Sequence, residues 1–312
     1  MKKILFLTNG KNDMVKSKEY GNGIYAYPVY KYNSKIYKIF IKAIRKVHCD
    51  IILKYVLGRW ARKIENYDIV VCEGLKGKKW VFEYLLKYKR NDTKIIMWHW
   101  NKIFKNEIDP NDAIAQQCEQ WSFDPDDCEK YHFKFNTQYF SKINLNENLE
   151  KKWDVYFLGT DKNRTEKILK LEEIFKLLGK KTNFHVVKSS LDKANPRITY
   201  KKNISYKENL KNVIQSNIVL DIPISGQRGL TLRVLESLYY RRKLISFNDY
   251  LKNELFYNDN NILILNERDL DSNIAINKIE EFLNEPYQDL KENELARKYF
   301  SFVEWILRFG NR

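Results

Sequence analysis

Arg233 and Glu236 are the side chains whose types and spacing best suit a chemical task; they lie in the stretch NIVLDIPISGQRGLTLRVLESLYY, Asn217 to Tyr240. A guanidinium pairs well with phosphate oxygens. A carboxylate on the same helix can accept hydrogen bonds from a ribose diol. The spacing equally suits an ordinary surface ion pair at helix positions i and i+3, and both readings stay open on spacing alone. The elements that must position the pair come just before it. Ile218 to Ile222 is a short apolar run of the kind that forms a buried parallel strand, and Pro223 ends it. Ser225, Gly226, Gln227, Arg228 and Gly229 make a polar turn with two glycines. Leu230, Val234 and Leu238, with Leu235 and Tyr239 beside them, then recur at helical spacing. The helix is expected to begin near Gly229 or Thr231, where its first amides lack partners inside the helix. Strand, glycine turn and helix start together form a cradle for a phosphate or diphosphate, to which Ser225 and Thr231 can add hydroxyl contacts.

The phrase GQRGLTLRVLESL, followed by KLISF and ELFYNDNNILIL, resembles the donor half of bacterial GT-B glycosyltransferases, above all those that build lipopolysaccharide and capsular polysaccharide. That group carries a Gly-Leu-Thr-x-Arg-x-x-Glu helix beside the nucleotide sugar, matched here by Gly229, Leu230, Thr231, Arg233 and Glu236. The resemblance covers most of residues 152 to 265 and reaches weakly into the first half. It departs at one place: many retaining members carry a second glutamate eight positions before the first, and that position is Arg228.

The resemblance implies an α/β fold of two Rossmann-like, doubly wound domains facing a central cleft, with a C-terminal helix crossing back to the first domain. It also implies a second donor loop, in which Gly159, Thr160 and Arg164 face the diphosphate and Tyr206 flanks the base. Each has a plainer alternative: Thr160 or Asp161 as a helix cap, Tyr206 as a packed tyrosine. Ser225 through Thr231, with Arg233 and Glu236, complete the expected donor site. An inverting transferase also needs a base near the acceptor hydroxyl. Asp13, Glu73 and His99 are the candidates, with Asp124 and Asp127 behind them, because all sit near expected strand or loop ends. His99 lies between two tryptophans, which also suits a packed histidine; Glu73 before Gly74 also suits a helix-capping acid. Asp124 and Asp126 flank Pro125 without following a hydrophobic strand, so no metal and no further cofactor is expected. Arginines and helix amides would neutralise the leaving diphosphate instead.

The partners expected are thus a nucleotide sugar and a glycan or lipid-linked acceptor. Net charge is +16, which draws nucleotides, nucleic acids and anionic membranes alike. Lysine, asparagine, isoleucine and tyrosine are enriched together, so part of that charge is compositional. RNP, KH and zinc-finger patterns are missing, which argues against a nucleic-acid-binding module. A GT-B-like sugar-nucleotide epimerase is the other alternative. The runs Lys76-Gly77-Lys78-Lys79 and Lys201-Lys202 either touch lipid headgroups or are solvated surface. No apolar run approaches the length that spans a bilayer. A cytoplasmic protein is expected, dissolved or attached to the inner face of the membrane. Cys49, Cys72, Cys118 and Cys128 lack zinc-ligand spacing and read as reduced thiols.

With 312 residues the chain has room for two domains. Polar residues from Asn144 to Lys152 mark the linker, giving an N-terminal acceptor domain at 1–148, a donor domain at 149–296 and a C-terminal helix at 297–312. In the first half, strands are expected at Lys3–Thr8, Asp68–Cys72, Lys94–Trp98 and Gln120–Phe123, and helices at Ile36–Val47, Val56–Ile64, Trp80–Tyr88 and Asn111–Gln120. Met14–Tyr32 reads as an irregular or mobile loop, and Asp124–Asp127 as a turn. The second half repeats strand–helix alternation, ending in one helix through Leu295, Tyr299, Phe302 and Ile306.

Overall fold

A computed structural model describes residues 2–8, 14–32, 34–46, 50–104, 107–162, 164–188 and 194–310. The expected loop over Asn9 to Asp13, and with it the candidate base Asp13, lies outside the described residues. The chain forms two compact units: Met1–Ser141 with Ser301–Arg312, and Lys142–Phe300.

The first unit opens with β1 (Ile4–Thr8), β2 (Lys18–Gly21) and β3 (Ile24–Pro28). The helices α1 (Lys35–Lys46) and α2 (Asp50–Val56) follow, then β4 (Ile69–Glu73), α3 (Lys79–Tyr88), β5 (Lys94–His99), β6 (Glu119–Ser122), α4 (Pro125–Tyr131) and β7 (Lys134–Phe135). Its sheet runs β2-β3-β1-β4-β5-β6-β7, and the antiparallel β2–β3 pair is a hairpin on an otherwise parallel sheet. That hairpin replaces the loop expected over Met14–Tyr32. Its turn, Gly21-Asn22-Gly23, has φ of 80°, 48° and 71°, the left-handed backbone that tight hairpins require. The period-two run Ile24-Tyr25-Ala26-Tyr27 was the strand signal inside it.

Other expectations shift for identifiable reasons. The helix expected at Val56–Ile64 does not form: α2 closes at Val56, Gly58 at φ −57° and ψ 168° leaves helical backbone, and short 3-10 turns follow. Asn111–Gln120 is no helix but turns and one 3-10 turn, tied by Asp109 and Asp112 side chains that accept from backbone amides two residues on. The turn at Asp124–Asp127 is instead the start of α4: Asp124 is the N-cap, accepting from the amides of Asp126 and Asp127, with Pro125 in the first turn.

The second unit holds β8 (Trp153–Thr160), α5 (Thr165–Leu177), β9 (Thr182–Val187), α6 (Tyr206–Ile214), β10 (Ser216–Asp221), α7 (Leu232–Tyr239), β11 (Lys243–Ser246), β12 (Ile262–Ile264), α8 (Asn273–Asn284) and α9 (Lys291–Tyr299). Its five strands are all parallel, in the order β12-β11-β10-β8-β9. One face is packed by Val155, Phe157, Leu171, Phe175, Leu220 and Ile279. Gly179, at φ 65°, stops α5 as a left-handed C-cap.

The last apolar stretch is two helices rather than one. Phe300-Ser301 breaks it, and Ser301 caps α10 (Phe302–Leu307), which belongs to the first unit. Alternation along the first sheet sorts its two faces. Leu5, Leu7, Val70, Cys72, Ile95 and Met97 join the cluster under α1 to α3. Phe6 and Trp98 point the other way, where Phe302, Trp305 and Phe309 pack on them edge to face or tilted.

Candidate functional site

In the second unit the chain leaves β8 toward β9 on one side and returns to β10 on the other. The β8–β10 gap is therefore the topological switch point, the place where parallel α/β sheets bind ligands at their strands' carboxyl ends. Two arginines meet there. Arg164, just before α5, donates to the carbonyls of Ile222 and Thr160. Arg233, in the first turn of α7, donates to the Leu158 carbonyl, with Nε at 2.7 Å. Both guanidiniums lie over one ring, Phe157, at 5.7 and 5.4 Å from its centroid. Gly159 sits beneath them: a Cβ there would stand 2.8 Å from Arg233 Nη2 and 3.0 Å from Arg164 Nη2. A side chain there would have to push aside the guanidinium ends and the Phe157 ring.

Two buried acids, Asp221 and Asp161, offset this charge in part. Asp221, at the end of β10 and fully buried, already accepts from Thr231 Oγ1 and Ser246 Oγ, each at 2.8 Å. Its Oδ1 stands 3.7 Å from Arg233 Nη1, longer than a direct hydrogen bond. Asp161 is engaged by Tyr200, 2.6 Å away. Burial first, then the charge on Arg233, bring the Arg164 guanidinium down to about 9, against the opposing pull of Asp221 and Asp161. Its Nε is buried without a hydrogen-bond partner. Two like charges held this close favour an anion as third member.

Thr231 is the N-cap residue of α7 but gives its hydroxyl to Asp221, so the helix's first amides get no cap from that side chain. Glu236, one turn on, is buried at 3% exposure. Asn209 Nδ2 donates to it at 2.9 Å, and Tyr156 in turn donates to Asn209 Oδ1 at 2.9 Å. Burial raises the Glu236 carboxyl to about 7, against the pull of Arg233, Tyr206 and Asn209. The surface-pair reading of Arg233 and Glu236 therefore does not hold: one reaches across to β8, the other is buried against α6.

The remaining candidates separate. Gly159, Thr160, Arg164, Thr231 and Arg233 converge, and Tyr206, at the start of α6, stands on the Glu236 side. Gly229 and Leu230 are buried beneath the turn. Ser225 and Gly226 are exposed, Gly226 at φ 74°, and Gln227 folds back onto the Gly229 carbonyl at 3.2 Å. Arg228 stacks 5.1 Å from the Tyr250 ring. Phe157, Asp221, Asn209 and Tyr156 went unnoticed in the sequence. A carboxylate closing an apolar strand was the available signal for Asp221; nothing marks Phe157 out from other strand aromatics.

The first-unit candidates are each engaged. Glu73 ends β4 and accepts from Lys78 Nζ at 2.9 Å, both side chains under 10% exposed, so it is a buried ion pair and no helix cap. His99 is fully buried, stacked on Phe133 at 4.9 Å and 9°, with Nε2 3.3 Å from Gln120 Oε1 and Nδ1 3.5 Å from Glu107 Oε2. Asp124 caps α4, and Asp127 accepts from the Ile103 amide at 2.7 Å. Cys72, Cys118 and Cys128 are free thiols.

No protein-family model and no curated protein matches the sequence. Among solved structures, the chain is similar to a sucrose-phosphate synthase from Thermosynechococcus elongatus, with 11% identity and a TM-score of 0.50, over 99% of this chain and 87% of that one. A glycosyltransferase from Rickettsia africae aligns more loosely, with a TM-score of 0.47 and 13% identity, over 92% of this chain and 84% of that one. At such identity the likeness shows the fold alone. That fold, α/β with parallel sheets in two domains, is the one the sequence resemblance implied.

Proposed function

We propose that the protein is a glycosyltransferase of hexosyltransferase type. It would move a sugar from a nucleotide-diphosphate sugar to a glycan or lipid-linked acceptor in bacterial surface polysaccharide synthesis, lipopolysaccharide or capsule, in the cytoplasm or at the inner membrane face. The observation that carries this reading is the pair Arg164 and Arg233 over Phe157 at the β8–β10 switch point. In the proposal, the two guanidiniums and the first amides of α7 hold the diphosphate. Glu236 of α7, held by Asn209 of α6 and through it by Tyr156 of β8, would receive the ribose hydroxyls. Charge building on the leaving diphosphate is met by fixed cations, so turnover needs no divalent ion.

On the acceptor side the candidates remain Asp13, Glu73 and His99. Glu73 and His99 would have to leave Lys78 and Phe133 to act, which makes Asp13→Asn the first substitution to assay. Its expected signature is a loss in kcat with donor affinity unchanged.

The test is a thermal-shift screen against UDP, GDP and CMP and their sugars, with single-stranded oligonucleotides alongside. One nucleotide diphosphate is expected to raise Tm while oligonucleotides do not. Stabilisation by oligonucleotides alone would support a nucleic-acid-binding module instead, and interconversion of a free sugar nucleotide without acceptor would support an epimerase. Turnover is expected to survive chelator; strict dependence on a divalent ion would overturn the metal-free part.

A further inference from the structure

Helix α1 carries two apolar stripes, and only one reaches the core. Tyr37, Ile41 and Ile44 pack inward, with Ile41 and Ile44 buried. Ile36, Ile39 and Phe40 are 81%, 68% and 50% exposed. With exposed Ala43 they form a second stripe at i, i+3, i+4 and i+7, turned away from the sheet. The next helix repeats the pattern: Leu53 of α2 is buried while Ile51, Ile52 and Tyr55 are 77%, 44% and 62% exposed. Large aliphatic side chains are rarely left in water in such numbers on adjacent helices unless something covers them.

The charge around these stripes says what. Asp50 is the sole acidic residue between Tyr20 and Ile64, against ten lysines and arginines. Lys42 and Lys46 stand three residues beyond Ile39 and Ala43, on the border of the exposed stripe. Beside them a groove of about 340 Å³ opens between α1, α2 and α3. Lys42, Arg45, Lys46 and Lys87 rim it, with Glu83 as its acid and Trp80 in its wall. The Arg45 guanidinium stacks on Trp80 at 4.6 Å. An apolar face bordered by lysines is the pattern of an interfacial helix on anionic lipid. A protein partner or a second copy would have to match this density of one charge with its own acids; a bilayer of anionic lipid supplies both the apolar layer and the charge.

We propose that α1 and α2 dock the first unit on an anionic lipid bilayer, the Ile36–Ile39–Phe40 stripe entering the acyl boundary and Lys42 and Lys46 at its border taking phosphate headgroups. This moves membrane contact away from the run Lys76 to Lys79, where Lys78 is buried against Glu73 and Lys79 pairs with Asp112 at 2.6 Å. It deepens the lipid-linked acceptor reading above, yet it requires no donor site, so the two can fail separately.

The test is flotation of the full chain with vesicles of phosphatidylglycerol and phosphatidylcholine against pure phosphatidylcholine, at low and high salt, with sedimentation in the absence of lipid. The wild type is expected to float with anionic vesicles only, and less at high salt. Ile39→Glu/Phe40→Glu and Lys42→Glu/Lys46→Glu, all at exposed positions, are expected to keep their far-UV spectrum and melting temperature. Each is expected to lower vesicle partitioning at least about tenfold. Equal flotation of wild type and both variants, equal flotation with neutral vesicles, or a wild-type dimer that Ile39→Glu/Phe40→Glu converts to monomer would overturn the proposal. Nucleotide affinity of these variants, measured alongside, is expected to be unchanged whichever way the flotation falls.

Discussion

Each unit puts charged groups at the carboxyl ends of the strands beside its switch point, and the two treat those charges in opposite ways. In the first unit Glu73, at the end of β4 next to β1, is neutralised within the fold by Lys78, and neighbouring His99 is closed in by Phe133 and Gln120. In the second unit Arg164 and Arg233 share one phenyl ring, and Asp221, held by two hydroxyls, approaches Arg233 only to 3.7 Å. Position alone therefore does not mark a binding site. A charge with its partner built in belongs to the fold, whereas two like charges brought together point to a partner from outside.

The contrast can be broken by substitution. Glu73→Ala leaves the Lys78 ammonium buried and alone. The expected result is a stability loss of about 3–5 kcal/mol by denaturant unfolding, with nucleotide affinity unchanged in the folded fraction. Arg233→Ala should do the reverse, removing charge-assisted bonds to a diphosphate. Affinity is expected to fall by about 2–3 kcal/mol in calorimetric titration, with a smaller change in stability. If both variants lose stability and neither loses affinity, the two switch points do not differ.

A pH profile sharpens the comparison further. Burial raises the Glu236 carboxyl from 4.5 to about 7. The folded state therefore holds a proton that the unfolded chain has released across that window. Stability is expected to decline as pH rises from about 4.5 to about 7, by on the order of 3 kcal/mol, and then level off. Glu236→Gln, which keeps an acceptor for Asn209, should flatten that slope. A slope unchanged in the variant would assign it to other groups. The smallest effect belongs to Ser225→Ala: an exposed hydroxyl in the turn should change nucleotide affinity by less than about 1 kcal/mol.

Much of the second unit was legible because its elements are short, apolar and bounded by clear stops: Pro223 after β10 and Gly179 after α5. Arg233 and Glu236 could be found because a helix fixes their spacing. Their partners could not, since Leu158 and Asn209 are 75 and 27 residues away and only the sheet order brings them together. In the first unit the same limits produced errors. The β2–β3 hairpin was hidden in a segment, Met14–Tyr32, rich in tyrosine, lysine and glycine. Asn111–Gln120 has helical composition but is held in turns by Asp109 and Asp112. Periodicity placed α1 correctly but not its burial, for apolar residues recur on both sides of that helix and only one side can face the sheet.

The most direct measurement of whether Arg164 and Arg233 hold a diphosphate compares a nucleoside diphosphate with its monophosphate by calorimetric titration. The base is the one the screen selects, and wild type is run beside Arg233→Ala. The diphosphate should bind the wild type at least about tenfold more tightly than the monophosphate, and the ratio should collapse toward one in the variant. A ratio near one in the wild type, or a large ratio that survives loss of Arg233, would contradict the assignment.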